Sequence, residues 1–113
     1  MAVKKILIPF FNMIARIVHL YIHPKHKEDF LQMFEGKKSK IRSFEGCEYL
    51  NLLECTDGNP DYFHVATFSH WKSQEDLDNY RKSDVFGEVW PQTKKWFSKK
   101  PEAKSFVVRE ILE

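Results

Sequence analysis

Cysteine and glycine are scarce in this sequence, with two and four residues among 113. Cys47 and Cys55 lie in one apparent strand, which would separate them by about 26 Å, far beyond the reach of a disulfide. Two reduced thiols are typical of the cytoplasm. The sequence also has no glycine-rich loop of the kind that binds phosphate groups.

A surplus of charge and a long apolar run are absent as well. The 18 basic and 16 acidic side chains leave a net charge of +2, too balanced for a nucleic-acid-binding surface. No stretch approaches the roughly 18 apolar residues of a membrane span. Residues 1–12 begin like a signal peptide, but Pro9 interrupts the apolar run and no small-residue cleavage site follows. We therefore expect a cytoplasmic protein without membrane or nucleic-acid partners, with 1–12 as an N-terminal extension and 13–113 as a single domain.

Apolar and aromatic residues are plentiful, at 42% and 15% of the chain. Their alternation predicts strands, and their helical spacing predicts helices. The predicted strands are 14–22, 47–55, 62–71 and 104–112, and the predicted helices are 24–44 and two short ones opened by Ser73 and by Ser83 or Asp84. Pro91 is predicted to end the last helix, and 99–101 to be a connector. This order is typical of an α+β, ferredoxin-like βαββαβ fold with an antiparallel sheet.

The predicted sheet has one face covered by helices and one face without a cover. The uncovered face would carry Tyr, Phe, Thr, Val and His side chains, which are too apolar for a freely solvated surface. Packing two such sheets against each other in a symmetric homodimer would bury this face. On the helix side, Trp71, Tyr80 and Trp90 converge on one short region. They form either a filled core or the wall of a pocket.

Three motifs follow one another in a specific order and spacing: Glu45-Gly46-Cys47-x-Tyr49, Asn59-Pro60-x-x-Phe63 and Trp71-x-Ser73-x-Glu75-Asp76-Leu77-x-x-Tyr80-x-x-Ser83-x-x-Phe86. Over residues 13–97 the chain resembles the antibiotic biosynthesis monooxygenase (ABM) family. The resemblance implies a dimeric α+β barrel with a small pocket between sheet and helices in each protomer. It also implies a cofactor-independent monooxygenase, which uses O2 on a small aromatic or quinol-like substrate without metal or flavin.

Several positions depart from the family pattern. Ser69 stands where the family often has Glu, and Tyr80 and Val85 stand where it often has His. In the related haem-degrading branch the haem-ligating His aligns with Trp90, and an indole cannot bind iron, so haem breakdown is not expected. The departures favour an alternative function, a non-catalytic dimeric barrel that serves small-molecule binding or protein association.

An oxygenase without a cofactor needs a base that converts its substrate into an anion. Histidine suits this role because its pKa lies near working pH. We predict His70 as this base, with His64 and His19 as the other candidates. Each of the three also has a simpler interpretation as a hydrogen-bonded or surface histidine.

The predicted substrate-binding residues are Asn51, Trp71, Tyr80, Phe86 and Trp90, with core packing as the alternative role for the rings. No metal site is expected. The spacing of His19, His23 and His26 crosses a junction between strand and helix, so their imidazoles would not converge on one ion.

Overall fold

The computed structural model describes residues 5–6 and 12–112. Its elements follow the order predicted for the domain, with a short strand added at each end. They are β1 (Lys5–Ile6), β2 (Ile14–Ile22), a 3-10 turn (Pro24–His26), α1 (Lys27–Arg42), β3 (Cys47–Glu54), β4 (Phe63–Trp71), α2 (Gln74–Arg81), α3 (Asp84–Lys94), β5 (Phe97–Val107) and β6 (Ile111–Leu112).

The main sheet contains four strands in the order β3-β4-β2-β5, and every pairing is antiparallel. In the pairing of β2 with β4, Ile14 lies opposite Trp71 and Ile22 lies opposite Phe63. This order and the helices on one side confirm the predicted α+β, ferredoxin-like fold. In the part of the chain that the structure describes, no helix is long and apolar enough to cross a membrane.

Two apolar clusters attach the helices to the sheet. One is centred on Leu20, Ile22, Phe30, Val65 and Trp96, and the other on Ile14, Cys47, Trp71 and Leu77. Burial of these side chains supplies the main driving force for folding. The gap between the two clusters is where a cavity remains.

The predicted helix over 24–44 differs from the structure at both ends. Pro24–His26 is a separate 3-10 turn, and α1 ends at Arg42. Gly46 has a positive φ of 88°, the left-handed conformation that glycine commonly adopts just after a helix. Its carbonyl accepts a hydrogen bond of 2.7 Å from the Lys72 amide, which ties the α1–β3 turn to the end of β4.

Pro91 does not end the second short helix, as was predicted, but lies inside α3. A proline removes one hydrogen bond from a helix, and flanking contacts can offset that loss. Here Trp90 packs against the core before the proline, and Thr93 after it is only 2% exposed. The Thr93 hydroxyl also donates to the Val89 carbonyl at 2.7 Å. Tertiary packing therefore carries the helix through Pro91.

The predicted connector 99–101 is part of β5 instead. β5 is an edge strand, and its register with β2 shifts between the His19 and Tyr21 pairings. Proline is tolerated at edges and bulges because no ladder hydrogen bond needs its missing N–H. Pro101 lies within this irregular stretch, so the strand can include the proline. β5 therefore begins at Phe97 rather than near Lys104.

The predicted N-terminal extension 1–12 lies outside the described residues apart from 5–6 and 12. Lys5–Ile6 pairs antiparallel with Ile111–Leu112, which joins the beginning of the chain to its end. The boundary of the domain at residue 13 remains a prediction.

Candidate functional site

A cavity of about 220 Å³ lies between the sheet and the helices. Its floor comes from alternate residues of the strands, because side chains two positions apart point to the same face. Its walls come from α1, α2 and α3. Among the described residues, no histidine and no carboxylate lines this cavity.

One wall of the cavity is a continuous row of aromatic rings. Trp71 stacks on Tyr80 with ring centroids 4.9 Å apart, Tyr80 meets Phe86 edge-on at 5.4 Å, and Phe86 stacks on Trp90 at 5.8 Å. The structure thus brings together four of the five residues predicted to bind substrate, and they border open space. We call this row the aromatic wall.

The fifth predicted residue, Asn51, lies apart from the others. It belongs to the edge strand β3, and its amide donates a hydrogen bond of 2.7 Å to the Tyr49 hydroxyl. Asn51 borders a separate shallow groove between β3 and α1 rather than the cavity. A ligand against the aromatic wall would not reach it.

Polar groups that were not predicted to bind substrate also face the cavity, including Arg16, Arg81 and Ser69. The Arg16 guanidinium donates to the Ser105 hydroxyl at 2.9 Å. Burial, and secondly the charge of Arg81, lower the pKa of Arg16 below its ordinary value. One signal was available in the sequence, because Arg16 is the single charged residue on an otherwise apolar face of β2.

Two further polar groups of the cavity are hydroxyls. The Ser69 hydroxyl accepts a buried hydrogen bond of 3.0 Å from the Trp71 indole N–H. Burial, with a smaller contribution from Cys47, raises the pKa of Tyr80 to about 12. The Tyr80 phenol therefore stays protonated at neutral pH and can donate a hydrogen bond.

The histidines predicted as bases lie on the other face of the sheet. In β4, Ser69 and Trp71 face the helices, so His64 and His70 face away from them. In β2, His19 alternates in the same way with Val18 and Leu20, which line the cavity. A catalytic role for these histidines stays a prediction. Their position on the opposite face of the sheet does not support a role in reactions of a ligand bound in the cavity.

His19 and His64 form a paired cluster on this open face. The His19 Nδ1 lies 2.9 Å from the His64 Nε2, and the Tyr21 ring stacks on His64 at 4.6 Å. Tyr21 donates a short hydrogen bond to the Glu102 carboxylate. Such a histidine pair requires that at least one imidazole be neutral, because one nitrogen must accept.

We expect the melting temperature to fall as pH drops below about 6.5. Burial lowers the pKa of both His64 and His70, and for His64 the charges of His19 and Lys99 add to this effect while Glu102 opposes it. The unfolded histidines then bind protons before the folded ones do, so stability is lost from pH 6.5 down to the lower folded pKa values. Calorimetry at a series of pH values measures the slope.

The control for this experiment is the double variant His64→Gln, His70→Gln. Its melting temperature should depend less on pH between about 7 and 5 than that of the parent, because the two groups with lowered pKa are gone. An unchanged slope would show that groups other than these two histidines control the acid response.

No group of three or more metal-ligating side chains is close enough together to hold an ion within residues 5–6 and 12–112. Both cysteines are free, with Cys47 buried at the start of β3 and Cys55 just beyond its end.

Comparison with protein families gives one match. The sequence profile of a family described as antibiotic biosynthesis monooxygenase matches residues 13–90, which is more than half of the chain. No curated protein matches the sequence.

Solved structures resemble the chain closely in fold. A provisionally named antibiotic biosynthesis monooxygenase from Nitrosomonas europaea superposes with a TM-score of 0.79 at 13% identity, covering 91% of this chain and 96% of its own. A conserved protein from Methanosarcina mazei Go1 superposes with a TM-score of 0.77 at 20% identity, covering 85% and 92% respectively. A similarly named protein from Caulobacter crescentus has a TM-score of 0.78 at 15% identity, covering 86% and 90%. At these identities the likeness shows the fold alone.

Proposed function

The chain belongs to the antibiotic biosynthesis monooxygenase family, and from this premise we propose that it is a cofactor-independent monooxygenase of a small aromatic or quinol-like substrate. The substrate would bind against the aromatic wall, between the sheet and the three helices. The observation that carries this proposal is that the wall borders an open cavity and not a filled core.

The dimensions of the cavity suit an aromatic ligand. A dry apolar cavity of roughly 150 Å³ is enough to hold benzene. The cavity here is about 220 Å³, which leaves room for one or two fused rings. Rings of the wall can stack on such a ligand or meet it edge-on, as aromatic pairs prefer.

The proposed reaction converts a ring methylene, or its phenolic tautomer, into a carbonyl. In the methylene form two C–H bonds of the substrate are broken, and in the phenolic tautomer one C–H and one O–H bond are broken. One oxygen atom of O2 becomes the carbonyl oxygen, and the other leaves as water. The substrate supplies all the electrons, so the balance needs no external reductant. The protein would bind the electron-rich ring, stabilise its anion and keep bulk water out.

We propose that His19, His64 and His70 belong to a contact between two sheets. On the same open face, Tyr49 is 41% exposed and Phe106 is 52% exposed, which is unusual for large apolar side chains. A homodimer formed through this face would cover them. The two free thiols support a cytoplasmic location.

The test uses metal-free protein and measures O2 consumption with a naphthol and a hydroquinone, whose one or two rings suit the size of the cavity. We expect at least one of them to be oxidised. Ala103→Trp should lower the rate of O2 consumption by more than about tenfold. Ala103 is an exposed residue that lines the cavity, so the new indole would occupy space in the cavity and the replacement would not disturb the buried core. Ala103→Ser, which adds only a hydroxyl, serves as the control.

A second function is favoured by one observation, the lack of any histidine or carboxylate around the cavity among the described residues. With no protein base, the barrel would bind an aromatic ligand without oxidising it, or serve in protein association. Ligand binding in a thermal-shift assay without O2 consumption would select the first of these roles. Oxidation that Ala103→Trp leaves unchanged would place the chemistry elsewhere.

A further inference from the structure

The cavity contains an unusual set of polar groups, because all of them can donate hydrogen bonds and none is a carboxylate. Arg16 lies on the floor, near the start of β2, and Arg81 is the last residue of α2. A guanidinium has five N–H donors and no acceptor. Ser69 and Tyr80 add hydroxyls.

Neither arginine has an acidic partner in the part of the chain that the structure describes. Arg16 donates to the Ser105 hydroxyl, and the ion pairs found there involve other side chains. Arg16 is partly buried, and a partly buried charge is normally paired because removing it from water is costly, whereas Arg81 is exposed at the end of α2. Both arginines line the same cavity, and the charge of Arg81, after the larger effect of burial, contributes to lowering the pKa of Arg16. A negative charge placed between them would relieve this repulsion.

The hydroxyls of Ser69 and Tyr80, which line the cavity, can bind the same kind of ligand. The Ser69 oxygen already accepts from the Trp71 indole, so its own proton is available for a second bond. Tyr80 keeps its proton because its pKa is about 12. Both groups can donate to an oxygen that lies near the aromatic wall.

From these contacts we propose that the ligand is a planar aromatic compound with an oxyanion, either a carboxylate or a phenolate, which Arg16 and Arg81 bind while the ring lies against the aromatic wall. This inference rests on the proposed function and specifies its substrate class. For a phenolic substrate it also explains how an anion forms without a histidine, because two nearby positive charges lower the pKa of a bound phenol.

The test compares ligands of matched shape, with quenching of tryptophan fluorescence as the signal. 2-Naphthoate should bind about tenfold or more tightly than 2-naphthamide, since hydrogen bonds to a charged group are worth more than neutral ones. 2-Naphthol reports on the phenolate, because its absorbance shows whether it is bound in the ionised form near pH 7. A preference for naphthoate with naphthol bound neutral assigns the site to carboxylates, and ionised naphthol assigns it to phenolates.

Variants locate the charge that is responsible. Arg16→Gln should remove the preference for naphthoate, Arg81→Gln should reduce it, and Arg16→Lys should retain part of it because the charge remains. Arg109→Gln is the matched control, since it removes one positive charge from an exposed residue outside the cavity and should leave the preference unchanged. The comparison of ligands on the parent protein holds even if a variant does not fold.

The possible failures are distinguishable. Equal affinity for naphthoate and naphthamide, with naphthol bound in its neutral form, would overturn the oxyanion inference and leave the proposed function intact. No binding of any of the three naphthalenes would overturn both. A preference that survives Arg16→Gln and Arg81→Gln would overturn the assignment to these arginines.

Discussion

Replacing Gly46 by alanine should destabilise the protein by roughly 3 kcal/mol or more, the range in which a single substitution signals a specific structural conflict. Gly46 has a φ of 88°, in the left-handed region that a residue with a Cβ rarely adopts. The backbone conformation alone accounts for about 1–2 kcal/mol of the expected loss.

The rest of the loss comes from a collision. A Cβ on Gly46 would lie 2.3 Å from the Asp76 Cβ and 2.4 Å from its Cγ. Asp76 cannot move away easily, because it is in the first turn of α2 and its amide donates a hydrogen bond of 3.1 Å to the Ser73 hydroxyl. Avoiding the contact would separate the α1–β3 turn from α2.

Urea unfolding measures both this variant and its matched control, Gly36→Ala. Gly36 lies inside α1, and a Cβ there would meet nothing within 4 Å. The control should be more stable than the parent by about 0.5–1 kcal/mol, since alanine favours the helix. Gly46→Ala with stability equal to the parent would show that the turn and α2 are not packed as described.

Replacing Phe68 by glutamate should convert the proposed homodimer into a monomer. Phe68 lies on the open face of β4, with its ring centroid 5.9 Å from Tyr49 and 5.2 Å from His70. In a contact between two sheets this residue would be buried beside its symmetry mate. Two unpaired carboxylates placed there would cost several kcal/mol, enough to dissociate a micromolar complex.

Sedimentation at micromolar concentration distinguishes the two states. The parent protein should sediment as a dimer and Phe68→Glu as a monomer. The variant should still fold, because Phe68 is only half-buried and belongs to neither core cluster. Gln32→Glu on the exposed side of α1 adds the same charge and should remain dimeric. A parent protein that sediments as a monomer would contradict the proposed dimer, and a dimeric Phe68→Glu would place the contact on another surface.

Much of the fold could be predicted because it depends on local rules. The alternation of apolar residues predicted a strand over 14–22, and this strand is β2 in the structure. Ser73 and Ser83 cap α2 and α3 through their hydroxyls, as their positions predicted. The turn at Gly46 was also predictable, since few residues other than glycine adopt its φ. These features need only neighbours within a few positions.

Two of the differences between the predicted and the observed secondary structure involve a proline inside an element. Local rules exclude Pro91 from a helix interior and make Pro101 part of a connector. The structure includes both, because α3 is packed on the core at Trp90 and Thr93, and because β5 is a sheet edge with an irregular register. Neither circumstance can be recognised without the position of distant strands.

By itself the sequence determined the α+β class, the order of the elements, the family and the presence of several aromatic rings near α2 and α3. Only the tertiary structure decided that these rings border a cavity, that Arg16 and Arg81 face it, and that the histidines lie on the opposite side of the sheet. The physical reason is that period and capping act along the chain, whereas a cavity exists only where side chains from separate elements fail to fill the space between them.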